Sequence, residues 1–307
     1  MRGLLIVNRY ATSMTGAVTE LVVRSLAGLV DLDVERTEYR GHARELAAAA
    51  RVDILIVLGG DGSINEVVNG VMSRPGPDGD KQPLIAVIPG GGANVLARGL
   101  GLPVDAAAAI RRVREVVAAG RYRTIGLGLA ADRYFTFSAG LGMDAEVVRE
   151  VDRRRGEGRR ESASLYLRSM MRQYYGGTDR RRPVLTLERD GQPPVGDLFI
   201  TIITNRSPWT YFRGRPLVPV PNPDFNSGLD LLALRRIRLI SIFSAVGQML
   251  YVRSRPPRGR DILSVLGSES LTVRSSRPIA FQADGEYLGE TEAVKFQFVP
   301  CALRVAA

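Results

Sequence analysis

Apolar runs in the first third of the chain alternate with segments whose apolar residues recur at helical spacing. The predicted strands are residues 3–8, 31–39, 53–60 and 84–91. The predicted helices are residues 15–29, 44–50, 63–72 and 93–101. Strands that alternate with helices pair in parallel through crossover connections. This pattern therefore predicts a doubly wound α/β domain over residues 1–124.

After about residue 122, the pattern changes to short segments of alternating polarity that are separated by turn residues. Such a pattern is typical of an antiparallel sandwich. Two helices, 162–175 and 238–252, are predicted to interrupt the strands. The expected fold class is α/β, with the doubly wound domain followed by a β-rich antiparallel sandwich domain over residues 125–290. Residues 291–307 are expected to return to the first domain.

The composition is that of an ordinary globular protein, with 45% hydrophobic and 24% charged residues. Because Cys301 is the only cysteine and His42 the only histidine, the chain has neither an internal disulfide nor a cluster of such metal ligands. The first apolar run is too short for a signal peptide, and no run is long enough to cross a membrane. A cytoplasmic location is expected.

Positive charge is concentrated in one part of the chain. The formal net charge is +10, and residues 149–182 hold eleven arginines against five acidic residues. A surface of this kind attracts phosphate, whether in nucleic acid, anionic lipid or a phosphorylated small molecule. A solvated, partly disordered loop over residues 151–160 is the alternative interpretation.

Two predicted strands end in glycines, at LGG (58–60) and IPGGG (88–92), and each is followed by a helix. Because the strands are parallel, the two turns should lie side by side, with peptide N–H groups and helix N-termini available to a polyphosphate. Asp61 would be repelled by phosphate unless a divalent cation lay between them, so it is predicted to bind Mg²⁺. Asn65, Glu66 and Asn94 could hydrogen-bond a nucleotide. Tight turns alone would explain either glycine run.

These residues resemble a known family. GGDGSINEVVNG is similar to the first glycine motif of the diacylglycerol kinase catalytic domain, and IPGGGANVLARGLGLP is similar to the second. QADGEYLGE (282–290) resembles the family's late acidic motif. The resemblance implies that a set of residues contacts nucleotide, namely Asn8, Thr12, Thr37, Gly59, Gly60, Asp61, Gly62, Ser63, Glu66, Gly90, Gly91, Gly92 and Asn94.

The resemblance also implies an activity. Members of this family are ATP- and Mg²⁺-dependent lipid kinases, in which a nucleotide-binding α/β domain and a β-rich lipid domain enclose a cleft. The γ-phosphate passes to a hydroxyl of diacylglycerol, a sphingoid base or a related lipid. Which lipid accepts the phosphate is not indicated by the sequence, and neither is the oligomeric state.

The late acidic motif supplies candidates for the base. Phosphoryl transfer to an alcohol needs a carboxylate that accepts the hydroxyl proton. Asp284 and Glu286 are predicted to serve, with Asp61, as the catalytic residues, since residues two apart on one strand share a face. Asp-Gly is also a strong hairpin signal, so a purely structural turn is the alternative.

The chain departs from the family pattern at several positions. Gly92 stands where threonine is usual, Val95 where aspartate is usual, and Asn226 and Ser227 where an acidic pair is usual. With Asp230 nearby, Asp61 and Asp230 are the predicted metal ligands, and a second Mg²⁺ site is in doubt. A catalytically weakened homologue that binds lipid or nucleotide, or a phosphotransferase of the NAD kinase type, remains open.

The expected partner is lipid substrate at an anionic membrane surface, where the arginine-rich run would dock. Nucleic acid is not expected, because no nucleic-acid-binding motif is present. The apolar stripe of the helix 238–252 is assigned to the core, with a wall for an acyl chain as the alternative. That stripe comprises Leu239, Ile242, Phe243, Val246 and Leu250.

Overall fold

The computed structural model describes residues 1–8, 16–74, 82–156, 163–177, 179, 181–212, 214–221, 224–251 and 254–307. The chain forms two compact units. The first is Met1–Gly126 together with Cys301–Ala307, and the second is Leu127–Pro300. In the part of the chain that is described, no helix is both long enough and apolar enough to cross a lipid bilayer.

The first unit alternates strands and helices, as its sequence predicts. In chain order its elements are β1 (Arg2–Asn8), α1 (Gly16–Leu26), β2 (Asp31–Thr37), α2 (His42–Ala49), β3 (Ile54–Gly59), α3 (Asp61–Met72), β4 (Leu84–Pro89), α4 (Val95–Gly99) and α5 (Ala106–Ala118). Every residue of β3 and β4 is buried. Continuous apolar strands of this kind are covered by helices on both faces.

The strands of the first unit form a parallel sheet in the order β2-β1-β3-β4. Alternate residues of the strands pack with α1 and α5 in one apolar cluster, which includes Leu5, Ile56, Val22 and Val113. The chain end joins the same unit, where Val305 pairs in parallel with Ile85. A doubly wound α/β arrangement is therefore confirmed.

The second unit is mainly antiparallel. Its elements, beginning with a strand that starts in the first unit, are β5 (Arg123–Ala130), β6 (Arg133–Phe135), β7 (Ser138–Gly142), α6 (Met143–Gly156), α7 (Ala163–Arg172), a π-helical turn (Gln173–Gly177), β8 (Leu185–Arg189), β9 (Gln192–Leu198), β10 (Ile200–Thr204), β11 (Thr210–Phe212), β12 (Arg215–Leu217), β13 (Leu229–Leu234), α8 (Leu239–Tyr251), β14 (Ile262–Ser268), β15 (Ser270–Ala283) and β16 (Glu286–Val305).

Strands of the second unit run in the order β14-β13-β10-β7-β15-β16, with β8 on β15 and β9 on β8. Each of these pairs is antiparallel. Their inward side chains form an apolar core that includes Phe135, Leu187, Leu231 and Phe296. The predicted β-rich antiparallel fold class is confirmed.

Individual elements differ from their predictions. Helices α5 and α6 were not predicted, although α6 lies in the region where short antiparallel strands were expected. The arginine-rich segment is helical as far as Gly156, where α6 ends, and the remainder of residues 151–160 lies outside the described residues. In α6, Val147, Val148 and Val151 are buried, so packing rather than composition stabilises this helix.

Candidate functional site

The first candidate site is the carboxyl edge of the parallel sheet. Asn8 at the end of β1 pairs with Thr37 at the end of β2, and Gly59 at the end of β3 pairs with Pro89 of β4. Val7 pairs with Leu58, so the four strand ends lie next to one another. Ligands of such sheets bind beyond this edge. We call the strand ends and the two glycine loops that follow them the glycine edge (Asn8, Thr37, residues 59–63 and 89–94).

The two glycine loops are in contact. A Cβ atom added to Gly60 would lie 3.2 Å from the Cα of Gly91, and one added to Gly91 would lie 2.8 Å from the Cα of Gly60. A Cβ on Gly59 would lie 2.8 Å from the Oγ of Ser63. Packing against backbone therefore requires glycine at Gly91, while a side chain at Gly59 or Gly60 would crowd its neighbours. The predicted side-by-side placement of the loops is confirmed.

Gly91 and Gly92 are exposed, so their backbone is accessible to a ligand. No heavy atom would lie within 4 Å of a Cβ on Gly92, which means that packing does not require glycine there. Helix α3 begins at Asp61, directly after Gly60, and the N-terminus of a twelve-residue helix favours an anion. The arrangement can accommodate a polyphosphate chain on backbone amides.

Asp61 lies at the start of α3 and is partly exposed. Its Oδ1 accepts a hydrogen bond of 3.3 Å from the backbone N–H of Leu96 in α4. This contact joins the helices that follow the two glycine loops, and it fixes the direction of the carboxylate.

Two further polar residues of the glycine edge stabilise the loops themselves. Asn94 has the left-handed φ of 49°, and its side chain accepts from the N–H of Gly91 at 2.9 Å and donates to the Gly91 carbonyl at 2.7 Å. Asn8 donates through Nδ2 to the Ser63 Oγ at 2.8 Å. A local pair of bonds thus holds the second loop, and a bond between β1 and α3 holds the first.

Glu66 has a structural partner that its sequence position does not indicate. Its two carboxylate oxygens accept hydrogen bonds from the N–H groups of Gly41, at 2.9 Å, and Ala43, at 3.2 Å. These donors belong to the start of α2, so Glu66 caps that helix. Its predicted contact with nucleotide stays a prediction. Thr12, the other predicted nucleotide contact of this region, lies outside the described residues.

The second candidate site, in the other unit, is the turn between β15 and β16. Ala283 pairs with Glu286, and the two residues between them have positive φ, 48° at Asp284 and 76° at Gly285. This is the two-residue hairpin geometry that Asp-Gly favours. The period-of-two argument for one shared strand face is therefore wrong, because the chain reverses between Asp284 and Glu286.

The Asp284 carboxylate is buried and accepts four hydrogen bonds. Oδ2 accepts from the N–H of Thr136 at 2.7 Å and from its hydroxyl at 2.9 Å. Oδ1 accepts from the N–H groups of Phe137 at 3.0 Å and Ser138 at 3.1 Å. The backbone N–H of Asp284 also donates to the Ser138 carbonyl at 2.7 Å. These donors occupy both carboxylate oxygens, so Asp284 anchors the turn. Its predicted catalytic role stays a prediction.

Glu286 has a different environment. Its Oε2 lies 3.1 Å from a guanidinium nitrogen of Arg133, and the two side chains are 15% and 17% exposed. The ion pair orients the glutamate next to the turn, while some accessibility is retained. Of the two carboxylates in the acidic motif, Glu286 is the better placed to exchange a proton.

A third carboxylate near the turn was not predicted. The Asp144 Oδ2 accepts a hydrogen bond of 2.9 Å from Gln282 Nε2, and Gln282 Oε1 accepts from the N–H of Gly285 at 3.1 Å. Burial of its carboxyl raises the pKa of Asp144 to about 6, and the hydrogen bond from Gln282 opposes part of that rise. Asp144 is 138 positions from Gln282, so no local sequence pattern could indicate the link.

The two predicted metal ligands belong to different units. Asp230 is buried in β13, and its Oδ1 accepts from the N–H of Gly267 at 2.9 Å. Among the residues that the structure describes, no three Asp, Glu, His or Cys side chains are grouped to hold a metal ion. The predicted roles of Asp61 and Asp230 as metal ligands stay predictions.

Together, the fold and the glycine edge define a two-unit α/β protein with paired glycine loops at the carboxyl edge of a parallel sheet. Residues 2–128 match the sequence model of the diacylglycerol kinase catalytic domain family. The resemblance of the sequence to that family is thereby confirmed. The match covers the glycine edge and ends before the acidic turn.

One of two curated relatives extends over more of the chain than the family match. A diacylglycerol kinase of Bacillus subtilis (strain 168) is 28% identical over 260 residues, which are 81% of this chain and 76% of that protein. Sphingosine kinase 1 of Rattus norvegicus is 45% identical, over 67 residues that make up 21% of this chain and 18% of that protein.

Solved structures share the fold. A crystal structure of a diacylglycerol kinase from Bacillus anthracis str. Sterne has a TM-score of 0.70, with 21% identity over 99% of this chain and 96% of that one. Another crystal structure from the same organism has a TM-score of 0.76 and 23% identity over the same shares. At this identity the likeness concerns the fold.

Proposed function

We propose that the protein is an ATP- and Mg²⁺-dependent lipid kinase that transfers the γ-phosphate of ATP to a lipid hydroxyl. The observation that carries the proposal is the contact between Gly60 and Gly91, which joins two glycine loops at the carboxyl edge of the sheet. The matched family, with its diacylglycerol and sphingosine kinases, supplies the reaction class.

In this proposal the glycine edge binds the polyphosphate. The exposed backbone at Gly92 and the N-terminus of α3 supply N–H donors, which stabilise phosphate charge without side-chain cations. Asn8, Thr37 and Ser63 lie at the same edge and supply short polar side chains. Asn94 keeps the second loop in the conformation that brings Gly91 against Gly60.

Mg²⁺ would be held by Asp61 together with the phosphates of ATP. This ion is usually bound by one or two carboxylates, phosphate oxygens and waters, so a site with a single carboxylate suits it. When bound, the ion neutralises charge on the transferred phosphoryl group. The chain itself contributes the orientation of Asp61, through the hydrogen bond from Leu96 N–H.

The acidic turn would take the proton of the acceptor hydroxyl. We assign the role of proton acceptor to Glu286, which Arg133 orients. Asp284 anchors the turn, because four hydrogen-bond donors occupy its oxygens. Positioned general bases of this kind contribute about 10²–10⁴-fold to a rate. The acceptor is proposed to be diacylglycerol or a sphingoid-like lipid, in line with the names of the relatives.

The test is transfer of radiolabel from γ-labelled ATP into a mixed lipid pool, with mass spectrometry of the labelled lipids. Asp61→Asn should lose most of the transfer, whereas Asp33→Asn, an exposed aspartate of β2 in the same unit, should keep it. If wild type labels no lipid but labels NAD when it is offered, the acceptor assignment is wrong. If it binds ATP and labels neither, the protein is a weakened homologue.

A further inference from the structure

Helix α8 presents large apolar side chains to solvent. Ile240 is 78% exposed, Phe243 60% and Tyr251 73%. With Gly247 they recur at intervals of three or four residues, which places them on one side of the helix. The sequence assigned Phe243 to the core, and for this residue the assignment is wrong.

The opposite side of α8 is apolar as well. Ile242, Ala245 and Met249 are buried in a cluster with Phe199, Ile202 and other residues of the second unit. Leu239, Val246 and Leu250 are partly buried against that cluster. The helix is therefore apolar on both sides, although only one side is covered. An uncovered apolar surface of this kind marks an interaction site.

The helix is flanked by an excess of positive charge. Residues 235–260 contain seven arginines, at positions 235, 236, 238, 253, 255, 258 and 260, and no aspartate or glutamate, which gives a formal charge of +7. Arg238, Arg255, Arg258 and Arg260 are exposed. Within the described residues none of these four has a carboxylate at ion-pair distance, while Arg236 lies 3.9 Å from Asp261.

The arginine-rich run 149–182 differs in this respect. Glu150 forms ion pairs with Arg153 at 3.0 Å and Arg154 at 2.7 Å, and Arg149 pairs with Glu290 at 2.8 Å. Hydrogen bonds from Arg153 and Arg154 lower the pKa of Glu150 to about 2. Some arginines of this run, which the sequence predicted to bind phosphate, are therefore neutralised by acidic residues of the protein itself.

We propose that the outer side of α8, with its flanking arginines, is the surface by which this protein docks on an anionic lipid bilayer. The docking surface comprises Ile240, Phe243, Tyr251, Arg238, Arg255 and Arg258. An aliphatic and two aromatic side chains between cations fit the interface of a bilayer, where apolar groups enter the acyl boundary and arginines meet lipid phosphates. The inference rests on the proposed function, because a lipid kinase must reach substrate in a membrane.

A second copy of the chain is a less suitable partner for this surface. Two α8 helices packed against each other would bring two segments of charge +7 together, and no acidic residue within 235–260 offsets the repulsion. A bilayer with anionic headgroups supplies the opposite charge over the whole surface.

The experiment is co-sedimentation of the full chain with phosphatidylcholine vesicles that contain or lack phosphatidylglycerol, without ATP. One variant combines Arg238→Gln, Arg255→Gln and Arg258→Gln, and a second combines Ile240→Ser, Phe243→Ser and Tyr251→Ser. We expect the first to lower the partition coefficient on anionic vesicles by about fivefold per arginine at low salt. The second should weaken binding at high salt as well, since its loss is not electrostatic.

Matched controls use the same chemistry elsewhere. Arg168→Gln, Arg181→Gln and Arg182→Gln change exposed arginines of the run 149–182, and Leu21→Ser with Val34→Ser changes exposed apolar residues of the first unit. Both controls should bind as wild type does. The proposal is overturned if the α8 variants bind like wild type, if wild type does not bind anionic vesicles, or if the arginine control is the one that loses binding.

Two further measurements distinguish bilayer docking from a defect in catalysis and from an interface between copies of the chain. Phosphorylation of a short-chain lipid dispersed in detergent should be unchanged in the α8 variants, since no bilayer is involved. If wild type phosphorylates the dispersed lipid but does not bind vesicles, the docking proposal is wrong and the proposed function stands. If wild type binds vesicles but phosphorylates no lipid, the proposed function is wrong and the docking surface stands. A change from dimer to monomer in the α8 variants, with vesicle binding intact, would identify the surface as an interface between copies and overturn the proposal.

Discussion

The glycine edge and the acidic turn are built over very different distances along the chain. At the glycine edge, Asn94 bonds to Gly91 three positions away, and Asp61 bonds to Leu96, 35 positions away. At the turn, Asp284 accepts from Thr136, 148 positions away. Local bonds thus shape the second loop of the first site, whereas the Asp284 carboxylate at the acidic turn is anchored by distant residues of the folded sheet. Both sites match a family motif equally well in the sequence. The match nevertheless indicates the role of individual side chains better at the glycine edge than at the acidic turn.

The largest effect is expected at Glu286. Replacing Glu286 with Gln keeps the size and one hydrogen bond to Arg133 but removes the proton acceptor, so kcat should fall by about 10²–10⁴-fold. KM for ATP and the melting temperature should change little. Steady-state kinetics and thermal unfolding measure both, and Glu290→Gln, at an exposed ion pair on the same strand, is the control.

Replacing Asp284 should lower stability, whereas replacing Glu286 should lower the rate of transfer. In Asp284→Ala the donors of Thr136, Phe137 and Ser138 lose their acceptor, and each buried donor left unsatisfied costs about 1–3 kcal/mol. The free energy of unfolding, measured with denaturant, should drop by several such contributions. If Asp284→Asn abolishes transfer at unchanged stability while Glu286→Gln is active, the two roles are reversed.

A substitution at Gly91 tests the contact between the two loops of the glycine edge. Gly91→Ala places a methyl group 2.8 Å from the Gly60 Cα, and overpacking of this kind costs about 1–3 kcal/mol. Nucleotide binding should weaken together with stability, as calorimetry and denaturant unfolding would show. Gly92→Ala is the matched control, because open space surrounds that position. Its stability should equal that of wild type, and any loss of affinity would report close approach of phosphate.

Asp144 should give the smallest effect, and it depends on pH. Its folded pKa of about 6 lies above the ordinary value of 3.8, so the folded state holds the proton more tightly. The associated stability is complete below pH 3.8 and is lost as the pH rises through about 6. Because the residue as a whole is only partly buried, we expect a loss of about 1–2 kcal/mol.

Asp144→Asn, which keeps an acceptor for Gln282, should lack this loss and gain on wild type as the pH rises from the ordinary pKa of 3.8 past the folded value of about 6. Denaturant unfolding over a pH series measures the difference. A difference that does not vary with pH would show that Asp144 does not titrate in this range.

Sequence reasoning predicted the first unit more completely than the second. Parallel strands that end in glycines must bring their turns to one edge, so the sequence was sufficient to place residues 58–62 and 88–92 together. In the second unit Asp284 and Glu286 were placed on one strand, and the hairpin turn that Asp-Gly indicates was only the alternative. Helix α5 was missed although Ile110, Val113 and Val117 recur at helical spacing, and α6 was missed because its arginine-rich half carries a weak apolar pattern.

Some side chains of the predicted site have partners that no motif encodes. Glu66 follows the glycine loop by one helical turn, which suggested a nucleotide contact, yet its oxygens cap α2. The partner, Gly41, lies 25 positions away on another helix. Whether a carboxylate is available to a ligand or is already hydrogen-bonded within the protein depends on such distant partners.

The sequence alone determined the alternation of strands and helices in the first unit and the side-by-side placement of the two glycine loops. These follow from periodicity and backbone sterics, which act over a few residues. The tertiary structure alone decided that Asp284 is occupied by four donors, that Asp144 accepts a hydrogen bond from Gln282, and that one side of α8 is left uncovered. These depend on which distant segments pack together, and no local pattern records that.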